Sequence, residues 1–319
     1  MKLKLTILGL FLAFTSQTLM AQEDTTYWNL GGDASLTFFQ SSFTNWTDGG
    51  GDPTTTIGAL ANVFAKYKKA RTTWDNIGLI QYQIQKVGSA TDFSKAVDRL
   101  ELLSVAGYNV SADNNSAWSY SFLASLKTQI TATEDADGVL QSNFFAPAEI
   151  LLAPGMKYSK GDKKSKSNLL VNLSPATAKF IIVNDQTLAD LGTFTGEPAT
   201  FDGTTKLTDG AMVRTEFGAS LIGTYRLNVI ETDDIKLTWQ TNLELFSNYL
   251  EDPQNIDVKW TNIVSANLFK YFTVSLATDL RYDDNVAVPV DRDGDGEFEG
   301  TGPRTRFAQT FGVGVGYKF

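Results

Sequence analysis

The stretch WSYSFLASLKTQIT, residues 118–131, decides the fold class. Apolar side chains stand at every second position from Trp118 through Leu126, and serine or lysine fills most of the positions between them. A period of two predicts a β-strand with one apolar and one polar face. Residues 235–245 and 306–319 repeat this alternation, again with aromatic residues near an end. Strands of this length are typical of the lipid-facing band, roughly 25 Å tall, of a transmembrane barrel.

Extending the same pattern along the chain predicts an all-β fold, a closed antiparallel transmembrane β-barrel of about twelve strands. Ten or fourteen strands remain alternatives. The first predicted strand contains Gly31-Gly32 and the seventh contains Ser174-Pro175, a proline that removes a ladder donor. The predicted strands lie near residues 28–41, 55–68, 72–86, 97–111, 117–131, 146–159, 168–182, 211–230, 235–249, 256–269, 271–283 and 304–319.

The connections between these strands alternate in length. Starting from a periplasmic N-terminus, the connections at residues 69–71, 112–116 and 231–234 are short, whereas those at 132–145 and 183–210 are long. Short periplasmic turns alternating with long outer loops are expected of a bacterial barrel. The parity therefore supports an even count and sets the orientation.

The two termini predict the cellular location. Residues 1–21 are predicted to be a cleaved signal peptide, with Lys2 and Lys4 before an apolar run that is too short to span a bilayer. Residues 22–319 would then form the barrel. The chain closes on Tyr317 and Phe319, a pattern that resembles the signal read by the barrel assembly machinery. The predicted location is the outer membrane of a Gram-negative bacterium, with outer-membrane lipid and lipopolysaccharide as partners.

Composition argues against an enzyme. The sequence has no histidine and no cysteine, so it lacks the usual bases of nucleophilic hydrolases and the usual ligands of zinc and most transition metals. The formal net charge of −9 does not suit a nucleic-acid binder. A closed barrel has no free sheet edge and does not need disulfides for its stability.

Two predicted outer loops contain candidate functional residues. Trp46, before the Asp48-Gly49-Gly50 reversal, could narrow a pore, and the alternative is a structural cap. In the last loop, carboxylates at alternate positions followed by glycines suggest a Ca²⁺-ordered loop, the one cofactor that the sequence indicates. The alternative is a solvated acidic loop. The candidate ligands are Asp291, Asp293, Asp295, Glu297 and Glu299.

The polar faces of the predicted strands carry charges of both signs. Such side chains can pair across a barrel of this size and nearly fill it. Two functions follow: a narrow channel or small-solute transporter with an unknown solute, or a non-conducting structural or surface-interaction barrel with acidic outer loops. For the channel, the pore candidates besides Trp46 are Arg214, Glu216, Arg226, Glu244, Arg281, Arg304 and Arg306.

Four short blocks stand out from the strand pattern: residues 43–50 (FTNWTDGG), 74–76 (WDN), 246–249 (FSNY) and 282–284 (YDD). With these blocks, the chain resembles an uncharacterised Bacteroidetes family of exported outer-membrane proteins, a domain of unknown function. The first block contains the motif F-x-N-W-x-x-G-G. The resemblance implies an exported β-rich protein and implies no activity.

Overall fold

The computed structural model shows a closed antiparallel barrel of twelve strands, which confirms the predicted fold class and strand count. The predicted signal peptide, Trp46, the candidate calcium loop and Phe319 lie outside the described residues. The structure describes residues 27–40, 54–88, 90–113, 115–135, 137–161, 166–269, 272–290 and 300–318.

Each barrel strand pairs with its neighbours in sequence, and the last strand pairs with the first. The strands, numbered in chain order, are β1 Trp28–Gln40, β2 Thr54–Lys69, β3 Thr72–Val87, β4 Ser94–Asn109, β5 Trp118–Thr128, β6 Ala148–Lys160, β7 Ser167–Ile182, β8 Val213–Glu231, β9 Ile235–Asn248, β10 Asp257–Leu268, β11 Phe272–Tyr282 and β12 Arg306–Lys318.

The predicted long loops contain further secondary structure. Thr133–Glu134 pairs with Leu140–Ser142, Thr200–Asp202 with Thr205–Thr208, and Ala287–Val290 with Gly300–Pro303. A helix of five residues spans Gln186–Asp190. No helix in the described ranges has the length and apolar character needed to cross a bilayer.

The short turns fall at the predicted places. Between β2 and β3, Lys69 pairs with Thr72, so that only Ala70 and Arg71 form the turn. Ala70 has φ 48°, the left-handed conformation that a two-residue hairpin requires. The tight reversal holds β2 and β3 in register over the whole of both strands.

The fifth strand ends earlier than predicted, at Thr128, because a side chain competes for its backbone. The carboxylate of Asp98 on β4 accepts hydrogen bonds from the backbone N–H groups of Ile130 and Thr131, both at 2.8 Å. Lys95 is 3.0 Å from the same carboxylate. These contacts satisfy the donors that would otherwise extend the ladder.

Pro175 leaves β7 continuous. The register shifts beside it on both sides, between Leu152 and Met156 of β6 and between Gly218 and Ser220 of β8. Ser174 Oγ donates to the carbonyl of Pro154 at 2.5 Å within this bulge. Gly155 is required here, since a Cβ would stand 2.1 Å from the carbonyl oxygen of Leu173.

Candidate functional site

The barrel exterior is apolar and exposed. On β1, Leu36 and Phe38 are 69% and 59% exposed, and on β12 Phe307 and Phe311 are 63% and 59% exposed. Phe122 of β5 is exposed on this face too, whereas its neighbour Leu123 is buried. Such an apolar outer belt is typical of transmembrane barrels, because lipid covers it in the membrane.

Four charged side chains inside the barrel form an alternating cluster near the ends of their strands that join the long loops, named the outer ends. Lys127 of β5 lies 2.7 Å from Glu244 of β9, and Lys259 of β10 lies 3.0 Å from Glu149 of β6. The other two contacts, Lys127 to Glu149 and Lys259 to Glu244, measure 3.7 and 3.6 Å. Each charge therefore contacts two opposite charges, one on the neighbouring strand and one across the lumen.

A second ionic group lies beside this cluster on the β7–β8 wall. Lys179 is 2.7 Å from Glu216, and Arg214 is 2.8 Å from the other oxygen of Glu216. Lys179 also stands 4.9 Å over the ring of Phe246. A cavity with room for about one water molecule, roughly 10 Å³, is lined by Lys179, Glu244, Phe246, Asp257 and Lys259. Little free space remains on this side of the outer lumen.

Apolar side chains fill the lumen next to the ionic groups. Leu123, Leu151 and Ala153 are at most 1% exposed and pack with Val105. Leu103 and Ile222 lie against this cluster. At the height of Leu123 in the barrel, the interior wall from β4 to β8 therefore excludes water.

The opposite wall is open. The inward-facing side chains described on β11, β12 and β1 to β3 are only partly buried, and Ile77 of β3 is 40% exposed. Ile77 faces inward, because Asp75 two residues earlier reaches Lys157 of β6 at 3.5 Å, and Leu103 is the cross-strand partner of Ile77. Glycines at the inward positions 312 and 314 of β12 add space. The lumen is thus filled on one side and accessible to water on the other.

The predicted pore residues divide between these two sides. Arg214, Glu216 and Glu244 belong to the ionic groups of the filled side. Arg281 on β11 pairs in register with Arg306 on β12, at the outer end of the open side. Arg226 lies near the other end of β8, and Arg304 is exposed just before β12. The backbone of Tyr317 pairs with Ala34 across the closing seam.

A group of three carboxylates at the outer mouth was not predicted from the sequence. Asp257, Asp283 and Asp284 each place one oxygen within 4.8 Å of the others. Asn255 donates to Asp284 at 2.5 Å, and Lys179 lies 3.5 Å from Asp257. Oxygen ligands of this kind suit a hard cation. The adjacent ammonium already neutralises part of the charge.

Two outer loops pack together into a cap with its own apolar cluster. Ala146, Val183, Leu188 and Ala189 are at most 1% exposed, and Leu140 and Phe194 cover them. Both loops rise from the β5–β8 part of the barrel. The cap therefore stands over the filled side of the lumen.

Asp190 ties the Thr200–Thr208 hairpin to this cap. Its carboxylate accepts hydrogen bonds from Lys206, from the Gly210 backbone N–H and from Gln186. The bond from Lys206, then those from Gly210 and Gln186, lower the pKa of Asp190 from its usual value to about 2. The hairpin is thus held by a carboxylate that stays ionised in moderate acid.

Comparison with known families confirms the predicted resemblance to a domain of unknown function. The family model described as "Protein of unknown function (DUF3078)" matches residues 38–133. The blocks at residues 43–50 and 74–76 fall inside this match, and those at 246–249 and 282–284 lie beyond it. Comparison with curated proteins gave no match.

Three solved structures are similar to the chain. The beta domain of the Bordetella autotransporter BrkA has a TM-score of 0.34 at 10% identity, covering 91% of this chain and 98% of its own. An outer membrane channel from Pseudomonas putida F1 has 0.38 at 13%, covering 94% and 100%. The translocator domain of the autotransporter NalP from Neisseria meningitidis has 0.37 at 11%, covering 99% and 96%. With TM-scores below 0.5, these likenesses assign no activity to the chain.

Proposed function

We propose that the protein is an outer-membrane β-barrel that lets small solutes pass along one side of its lumen. The observation that carries this proposal is the uneven burial of the inner wall. Leu123 on the filled side is 1% exposed, whereas Ile77 on the opposite wall is 40% exposed although it points inward. A barrel that served only as a membrane anchor would have no need of a hydrated wall.

The exterior and the connections support the membrane location. The exposed apolar belt has the character of a lipid-facing surface, and every described barrel strand is at least 11 residues long. The tight connection at Ala70-Arg71 lies at the end opposite the cap of long loops. Short turns belong to the periplasmic side of bacterial barrels, so the cap would face outward.

The proposed path is narrow and has few unpaired charges. On the open side, Arg281 lies 2.8 Å from Asp279, and on β4, at the edge of the filled side, Arg99 is 2.5 Å from Glu101. Paired charges give a weak preference for ions of one sign. We therefore propose that the solutes are small and are not strongly selected by charge.

Adding bulk to the open wall tests the proposal. A Cβ at Gly312 would meet only Ser275 Oγ, at an ordinary 3.5 Å, so Gly312→Phe would place its ring in the lumen without backbone strain. Val313 is 48% exposed and lies on the opposite face of the same strand. In planar bilayers, Gly312→Phe should lower the single-channel conductance, whereas Val313→Phe should leave it unchanged.

The second candidate is a non-conducting barrel that presents the outer cap as an interaction surface. The ordered cluster of Val183 and Leu188 favours it, because a loop with its own core can hold a recognition surface in place. A wild-type barrel that is folded, yet gives no conductance and no solute flux into liposomes, would reject the channel in favour of this second function.

A further inference from the structure

The turn between β2 and β3 carries two cations that stack on outward-facing rings. Lys69 Nζ lies 4.6 Å from the ring centroid of Tyr27, and the guanidinium carbon of Arg71 lies 4.4 Å from that of Tyr108. Because the turn has only two residues, Lys69 and Arg71 are held on the same short piece of rim. Cation–π contacts fix both side chains without neutralising their charge.

In the described part of the chain, neither cation has a carboxylate partner. Among the described residues, no Asp or Glu oxygen lies within 4.0 Å of Lys69 or Arg71. Arg71 donates from Nε and Nη2 to the carbonyl of Asn109 at 2.9 and 2.8 Å. Its remaining nitrogen, Nη1, and the ammonium of Lys69 remain available for an anion.

An aromatic shelf lies beside these cations on the outside of the barrel. The ring of Trp28 is 5.2 Å from that of Tyr67 and 5.7 Å from that of Trp74. Trp28, Trp74 and Tyr108 are 40%, 44% and 49% exposed. The indole N–H of Trp74 donates to Ser104 Oγ at 2.8 Å, which fixes the ring against the strand. Amphipathic rings of this kind sit at the boundary between acyl chains and headgroups.

We infer that this rim is a binding site for an anionic phospholipid of the periplasm-facing leaflet. The lipid phosphate would lie between Lys69 and Arg71, with an acyl chain along Trp28 and Trp74. A phosphate suits the site because it accepts several charge-assisted hydrogen bonds at once. The inference rests on the proposed membrane location and orientation, which place this turn at the inner leaflet. It does not depend on whether the lumen conducts.

Lipid adducts on the purified barrel test the inference. Native mass spectrometry would measure retention of phosphatidylglycerol, phosphatidylethanolamine and lipid A by the detergent-solubilised protein. The double variant Lys69→Gln with Arg71→Gln should lose the preference for phosphatidylglycerol, by about fivefold per charge removed. Lys160→Gln with Lys166→Gln, which also removes two periplasmic-side charges, should retain the preference. Lys69→Arg with Arg71→Lys keeps both charges and should also retain it.

Heat-modifiable migration on gels would first show that every variant is folded. An unchanged preference in the Lys69/Arg71 double variant would overturn the inference. The inference would also be overturned if the wild type retained lipid A more strongly than phosphatidylglycerol and lost it in the Lys69/Arg71 double variant, since lipid A belongs to the opposite leaflet. A folded barrel that conducts nothing but shows the expected lipid preference would overturn only the proposed function. A conducting barrel without that preference would overturn only the lipid site.

Discussion

Two isoleucines on β3 provide a matched test of which face meets lipid. Ile77 and Ile80 are 40% and 39% exposed, and they stand three positions apart on opposite faces of the sheet. The strand runs from Thr72 to Val87, so its middle falls between Leu79 and Ile80. A tilted strand rises roughly 2.5 Å per residue along the membrane normal, which places both isoleucines well within the apolar band of roughly 25 Å.

Arginine at these two positions should have different costs. Arg facing lipid near the bilayer midplane costs about 2–4 kcal/mol. Ile80→Arg should therefore lower the free energy of unfolding by that amount, because its side chain would enter lipid. At Ile77 the guanidinium would reach the hydrated lumen, and the cost should stay below about 1 kcal/mol, the loss of partial packing. The expected difference is therefore about 1–4 kcal/mol.

Urea-dependent unfolding in phospholipid vesicles, followed by tryptophan emission, gives the free energies for this comparison. Ile77→Leu and Ile80→Leu serve as controls for the loss of the original side chain. Equal costs for the two arginine variants, or a larger cost at Ile77, would refute both the assignment of faces and the open wall.

Three further predictions follow from the contacts. Glu244→Gln leaves Lys127 and Lys259 facing one remaining carboxylate, Glu149. It should lower the free energy of unfolding in urea by about 1–2 kcal/mol, since these side chains are only partly buried. Lys127→Met combined with Glu244→Met should cost less than the sum of the two single changes. Asp190→Asn should expose the bond after Lys206 to trypsin at pH 8, whereas Asp202→Asn on the same hairpin should not. Because the pKa of Asp190 is lowered to about 2, the stabilisation from its carboxylate is complete above the ordinary carboxylate pKa of about 4 and is lost as the pH falls through about 2. In the wild type, the protection of the Gly210 amide against hydrogen exchange, measured relative to the intrinsic exchange rate at each pH, should therefore fall there. Arg306→Glu should shift the reversal potential in a salt gradient toward the value for a cation-selective pore, whereas Arg214→Gln should change it little. Equal shifts would show that the ion path runs past both arginines.

The barrel itself could be predicted because alternation is a local property of each strand. A one-residue slip would turn every apolar side chain of β5 inward, so the pattern at residues 118–126 determines the faces. Strand ends were less predictable, since they depend on contacts between distant residues. The early end of β5 results from the carboxylate of Asp98, 32 residues away in sequence from Ile130, and no local pattern encodes that contact.

The filled and open sides of the lumen could not be predicted from alternation. The pattern shows that Glu244 and Arg306 both point inward, but it does not show which inward residues meet across the barrel. Lys127 and Glu244 are 117 residues apart in sequence and touch because the barrel curvature brings β5 near β9. Only the closed structure shows which charges neutralise one another.

This distinction changes which charges can select an ion. Glu216 is 2% exposed and already contacts both Lys179 and Arg214, so a passing ion would have to displace a buried ion pair to interact with it. Arg306 stands beside Arg281 on the open wall, and its Nε makes no hydrogen bond among the described residues. Two neighbouring guanidiniums, with Asp279 as partner to only one of them, leave net positive charge beside the water path. Whether an inward-facing charge affects conduction therefore depends on its position around the barrel as well as on the face of the strand that carries it.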